Sequence, residues 1–227
     1  MRVLDFITEY RGKNYCLYKG KWASFNESYM EFIEREILKV NEYVTYDENY
    51  NLLDSVVEKG REIQAASPHI YDQVTYTEYP YNIFLENEYQ YKLLDRKSLH
   101  RTFKSVEFAD LYSQDNDELI HVKIGNTPEL RYCIQQSLHS ADILNIHRDI
   151  LEEYDIYKIN TISMLFVTSL SSIFQQNGSI DFSKIRSIYF KIEIIEWLTK
   201  MRSLNYNPRI IVAKDLRGVV APVTHTT

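Results

Sequence analysis

Apolar residues recur along this chain with two different periods, and the switches between them mark out its elements. Residues 14–25 alternate on either side of Lys19-Gly20-Lys21, which predicts a β-hairpin. From Glu27 to Glu42 the period lengthens. Met30, Ile33, Ile37 and Val40 recur at helical spacing and give a helix one apolar face. Residues 44–75 are weakly patterned, with a short helix expected near Leu52 to Ile63. Glu78 to Glu88 reads as helix, with Pro80 in its first turn, where a missing N–H is harmless. Three strands are expected at about 91–95, 105–112 and 117–124. The polar Ser113-Gln114-Asp115-Asn116 between the last two predicts an antiparallel hairpin.

Thr127 then reads as a helix N-cap, with Pro128 at the first helical position. That helix is expected to end near His139 and a second to begin near Ser140 or Ala141. Thr161 to Thr168 is apolar nearly throughout, the mark of a strand covered on both faces. Ser183 to Asn205 carries a broad apolar helical face, and Pro208 to Ala213 reads as a last strand. Strands alternating with helices predict an α/β fold with a mixed sheet flanked by helices. The expected division is an N-terminal hairpin and helix extension over 1–77, a core over 78–216 and a loose tail over 217–227.

Alternation along 117–124 sets Leu119, His121 and Lys123 on one face, and Ile120, Val122 and Ile124 on the other. A hairpin folds Asp110 back towards His121 and Lys123. A carboxylate and a lysine on neighbouring strands can hold a divalent ion and orient a water against a phosphodiester. Asp110 and His121 are the candidate metal ligands, with magnesium or manganese as the expected ion. An imidazole suits manganese, zinc, iron or nickel better than magnesium, and His121 is also a candidate general base. A site that grips phosphate without cutting stays open beside these, as does an ordinary polar strand.

Composition sharpens the picture. The chain of 227 residues has a formal net charge of −6, unevenly spread. Residues 26–90 hold 14 acidic and 4 basic side chains, whereas residues 182–227 hold 8 basic and 3 acidic ones. Lys92, Arg96, Lys97, Arg101 and Lys104 form a basic cluster beside the suspected site, readable as a nucleic-acid grip or as a solvated face. The acidic half would repel phosphate. It contains many of the 19 tyrosines, which serve either as half-buried core or as stacking and interface residues. A protein partner is therefore expected on that half, and homo-oligomerisation stays open. Two cysteines imply no disulfide framework. Six glycines leave little room for a phosphate-binding loop motif. No signal peptide is legible and no apolar run approaches the ~20 residues of a membrane span, so a soluble cytoplasmic protein is expected.

Two resemblances add to this reading. Asp110 followed by His121-x-Lys123, in the order helix, three strands, helix, strand, resembles the PD-(D/E)XK nuclease core. The resemblance implies a restriction-endonuclease-like αβββαβ fold over about residues 78–168. It also implies site roles for a glutamate on the preceding helix, Glu78 or Glu86, and for Gln136 on the following one. Histidine stands where that superfamily has a carboxylate. The segments Leu93-Leu94-Asp95-Arg96-Lys97, Glu107-x-x-Asp110-Leu111, Ile120-His121-Val122-Lys123 and Gln136-x-x-x-Ser140-Ala141-x-Ile143-Leu144 resemble a sporadically distributed bacterial family of unknown function, in which the His-x-Lys form is typical. Such proteins are similar in style to the DNA-binding subunit of the Kiwa anti-phage system. Together the resemblances imply a nucleic-acid-targeting effector acting on DNA or RNA, or an inactive binding or docking subunit of a defence complex.

Overall fold

The computed structural model describes residues 6–11, 13–18, 21–96 and 108–218. The chain opens with β1 (Phe6–Tyr10), β2 (Lys13–Tyr18) and β3 (Lys21–Ser24), an antiparallel sheet in that order. The expected hairpin is present, with Tyr18 opposite Lys21, and β1 adds a third strand through Phe6 opposite Leu17. Then come α1 (Glu27–Asn41), β4 (Val44–Tyr46), α2 (Asp54–Ala66), α3 (Glu78–Tyr89), β5 (Lys92–Leu93), β6 (Leu111–Ser113) and β7 (Glu118–Ile124). The chain continues through α4 (Thr127–Ile146), β8 (Thr161–Thr168), α5 (Ile188–Ser203) and β9 (Asn207–Lys214).

Six strands form one mixed sheet in the order β4-β9-β8-β7-β6-β5. β4, β9, β8 and β7 run parallel, whereas β6 and β5 continue the sheet antiparallel. β4 comes from the N-terminal segment, yet it pairs Val44 with Ile210 at the edge of this sheet.

Helices cover both faces, so the parallel strands carry apolar side chains on each side. On one face Ile162, Met164 and Phe166 of β8 pack with α1, α4 and α5 around Trp197 and Phe190. On the other, Leu165 and Val167 pack with α2 and α3 through Val57, Tyr81 and Leu85. This double burial explains the unbroken apolar run of β8. It also alters the expectation for β7, where Leu119, Ile120, His121 and Val122 are all buried. Among the described residues no helix is long and apolar enough to cross a membrane.

Four local expectations need correction. The helix after β7 is capped by Asn126, not Thr127. The Glu129 carboxylate accepts from the Asn126 N–H at 2.9 Å, one half of a capping box, and Pro128 lies in the first turn. That helix does not break at Ser140. The Ser140 hydroxyl donates to the Gln136 carbonyl at 2.8 Å, and Ser137 accepts from the Trp197 indole N–H at 2.9 Å. Ser137 is a small contact for α5, and Ser140 bonds back along its own helix, within one continuous α4. Residues 182–184 form a separate 3-10 turn under Asp181, and Ser187 caps α5 afresh, so α5 starts at Ile188. Finally, the strand expected over 105–112 is β6, Leu111–Ser113; residues 105–107 lie outside the described residues. The Asp110 carboxylate, in place of a main-chain carbonyl, accepts from the Val122 N–H at 2.6 Å, which ends the ladder at Leu111.

Candidate functional site

Asp110 and β7 meet because the β6–β7 hairpin pairs Leu111 with Ile120, which sets the residue before Leu111 beside Ile120 and Val122 in the middle of β7. The Asp110 N–H donates to the Ile120 carbonyl at 3.0 Å, and its own carbonyl accepts from Leu94 and Asp95 at 2.8 and 2.9 Å. Asp110 is thus held by main-chain bonds on both sides, with its side chain buried against β7.

Lys123 and Glu78 are joined although 45 positions separate them. Lys123 donates through Nζ to Glu78 Oε1 at 2.6 Å, and Glu78 Oε2 accepts from the Ile124 N–H at 3.0 Å. Glu78 is the first residue of α3, so its negative charge also complements the positive end of that helix. Both side chains are 17% exposed. Burial by itself would lower the Lys123 pKa, but the Glu78 carboxylate, helped by Asp110, outweighs it and raises it. Lys123 is therefore charged at neutral pH. Its ammonium lies 5.6 Å from the ring centroid of Tyr132, which is 56% exposed.

His121 stands two residues before Lys123 on the face towards α4, but at 3% exposure it lies in the core. The Cys133 thiol donates to the His121 carbonyl at 3.9 Å. Burial, then the Lys123 charge, push the His121 pKa down to about 3. Its imidazole is neutral at pH 7 and attracts a proton weakly. Burial likewise drives the Cys133 thiol well above its ordinary range, which removes it as a nucleophile. Gln136 sits half-buried on α4, three positions beyond Cys133.

The basic cluster is divided. Lys92 donates to the Tyr154 carbonyl and lies 3.5 Å from Asp155, and Arg96 donates to Asp72 at 2.7 Å. Lys97, Arg101 and Lys104 lie outside the described residues.

Three neighbours of the site escaped the sequence reading. Tyr132 was one. Asn82, one turn beyond Glu78 on α3, donates to Asp95 at 2.9 Å, and its buried Oδ1 has no hydrogen-bond partner. The i,i+4 spacing from Glu78 is the signal that could have found it. Asp95 is buried, and it lay unremarked inside the quoted Leu93–Lys97 segment.

For a divalent ion the donors are hard carboxylate oxygens, as required, but most are already taken. Both Glu78 oxygens and one Asp110 oxygen accept protein N–H groups. Among the described residues no three His, Cys, Asp or Glu side chains are arranged to hold a metal. As arranged, the donors do not fit a resident metal ion.

The burial of His121 gives a pH prediction. An imidazole whose folded pKa is depressed from about 6.5 to about 3 binds fewer protons folded than unfolded throughout that window. Stability from this group is therefore complete above pH 6.5 and lost as pH falls towards 3. Between pH 7 and pH 5 the expected loss is about 2 kcal/mol. Urea unfolding at the two pH values should show that loss in the native chain and a smaller one in His121→Gln. Equal losses would mean that the imidazole is solvated.

No curated protein and no solved structure matches the chain. The model of the Family of unknown function (DUF6119) matches residues 1–155, a span that holds Glu78, Asp110, His121, Lys123 and Gln136 and stops before β8. With well over half of its 227 residues inside that match, the chain belongs to the DUF6119 family of unknown function.

Proposed function

We propose that this chain is a nucleic-acid-targeting protein with a restriction-endonuclease-like core, and that the core grips a phosphodiester backbone at Lys123 without cutting it. The observation that carries the reading is a charged Lys123 at the carboxyl end of β7, held between the Glu78 carboxylate and an exposed Tyr132 ring. The order α3, β5, β6, β7, α4, β8, antiparallel through β7 and then parallel, supports the nuclease-like assignment.

In this reading Glu78 occupies the place of a phosphate oxygen in the free protein. An incoming phosphate competes with it for the ammonium, and a base stacks on Tyr132. The binding-only form is favoured over hydrolysis by the engaged carboxylates and the buried, neutral His121. The anti-phage setting is carried over by analogy alone, from the resemblance in style to the Kiwa DNA-binding subunit stated for the sequence segments.

Fluorescence anisotropy with a labelled 20-nucleotide strand and its duplex, with and without magnesium or manganese, tests the reading. Glu78→Gln should bind roughly tenfold more tightly and Lys123→Met roughly tenfold more weakly, with the salt slope reduced by about one in the latter. The labelled strand should stay intact throughout. Manganese-dependent cleavage abolished by Asp110→Asn would replace the binding-only form with hydrolysis. Affinity indifferent to both Glu78 and Lys123 would end the reading altogether.

A further inference from the structure

The carboxyl ends of the parallel strands form a second feature of this edge. A cavity of about 360 Å³ opens there, lined by Thr168, Ser169, Ser171, Phe174, Lys214, Asp215 and Leu216. Thr168 ends β8 and Lys214 ends β9. The helices that pack beside this point diverge: α5, after β8, packs on the Trp197 face, whereas α2, after β4, packs on the Tyr81 face. β9 stands between β4 and β8, and in open α/β sheets ligands bind outside the carboxyl ends of the strands, where the connections part to opposite faces.

The lining has the chemistry of an anion site with an apolar wall. Lys214 holds its ammonium 5.1 Å from the ring centroids of both Tyr46 and Phe174, which fix the side chain without neutralising it. Among the described residues no carboxylate forms an ion pair with Lys214. Asp215, the one acidic lining residue, is clamped by Arg217 at 2.6 and 2.8 Å, so its charge is already compensated. Ser169 donates to Asn126 at 3.3 Å, and Thr168 accepts from the Leu170 N–H at 3.2 Å. Ser171 is exposed at the mouth. One cation and the Thr168 and Ser171 hydroxyls suit a tetrahedral oxyanion with several acceptor oxygens, while Phe174 and Leu216 suit an organic body attached to it.

We propose that this cavity binds a phosphate group carried by a nucleotide, with Lys214 as its counter-ion and Ser171 at its entrance. The phosphate belongs either to a free mononucleotide or to a nucleic-acid strand. Strand ends two positions apart in a sheet lie roughly 10 Å from one another, so a strand held at Lys123 on β7 passes within reach of Lys214 on β9. The site does not depend on the Lys123 reading, and it lies beyond the residues matched by the family model.

The test measures AMP and inorganic phosphate by titration calorimetry, and a labelled 12-nucleotide strand by anisotropy. The variants are Lys214→Met, which keeps an apolar stem over the two rings, and Ser171→Asp, an exposed change that places a negative charge at the mouth. Each should weaken binding at least tenfold while thermal melting stays unchanged. Loss for AMP alone assigns the cavity to free nucleotides; loss for AMP and strand together assigns it to both sources. Binding of AMP, phosphate and strand unaltered by both variants, or absent from the native chain, overturns the proposal. Strand binding lost in Lys123→Met, with neither strand nor AMP binding touched by Lys214→Met and Ser171→Asp, sinks this cavity and leaves the Lys123 reading standing. The converse pattern sinks the Lys123 reading alone.

Discussion

Lys123→Met is expected to cost about 2 kcal/mol of folding stability, most of which a second change, Glu78→Gln, should restore. The single substitution leaves a carboxylate at 17% exposure facing a thioether instead of an ammonium at 2.6 Å. Removing one partner of a fully buried pair costs about 3–5 kcal/mol, because the remaining charge stays desolvated. The residual exposure of Glu78 and its bond from the Ile124 N–H reduce that figure here. Replacing both partners removes the uncompensated charge, and such exchanges run close to neutral. For a chain of this size about 2 kcal/mol corresponds to a fall in Tm of roughly 4–8 °C. Urea unfolding of the native chain, both single variants and the double variant would measure the coupling directly. Additive losses, with no restoration in the double variant, would mean that water already screens the pair. The cycle also separates the two meanings of a binding defect, since the double variant keeps the fold but still lacks the cation.

Gly60→Ala should be more damaging, although alanine is the better helix former by about 1 kcal/mol. Gly60 is buried within α2, where α2 crosses α3. A β-carbon there would lie 1.9 Å from the Pro80 carbonyl oxygen and 2.6 Å from its carbon. These are backbone atoms of the first turn of α3, so no side-chain rotation relieves the clash and the helices must separate. Overpacking of this kind costs about 1–3 kcal/mol and more where backbone is displaced; the expected net loss is about 2–4 kcal/mol. A thermal melt should fall by roughly 4–16 °C. Glu78 lies two residues from the point of collision, so the same variant should loosen the Lys123 pair and alter strand binding. An unchanged melt would show that α2 and α3 do not meet at Gly60.

Both predictions concern α3, and α3 is where local pattern and tertiary context divide. Its existence was legible, and so was the tolerance of Pro80 in its first turn. That a glutamate of this helix, Glu78 or Glu86, would join the site was an implication of the nuclease-like order; that the amino end delivers Glu78 to Lys123 had no local signal. The ion pair spans 45 positions, and the turn of α3 that carries Glu78 is the one against which Gly60 of α2 packs. The basic segment shows the opposite relation. Lys92 and Arg96 are an obvious charge cluster in the linear chain, yet the fold spends them on Tyr154, Asp155 and Asp72. Lys214 looks ordinary in the linear chain and becomes distinctive only when β4 and the 171–173 turn bring two rings against it.

Periodicity alone determined the element types of β7, β8, β9, α1 and α3 and the α/β class, because side-chain spacing on strands and helices is a local property of the backbone. It also located the hairpin that brings Asp110 to β7. Tertiary structure decided the depth of each residue. Alternation said that His121 and Lys123 share a face, but that face is covered by α4 over His121 and opens at Lys123 beside Tyr132. Whether a polar side chain becomes a buried neutral group or a charged ligand contact depends on what packs above it. That is a property of elements distant in the chain, and a period of two residues carries no information about it.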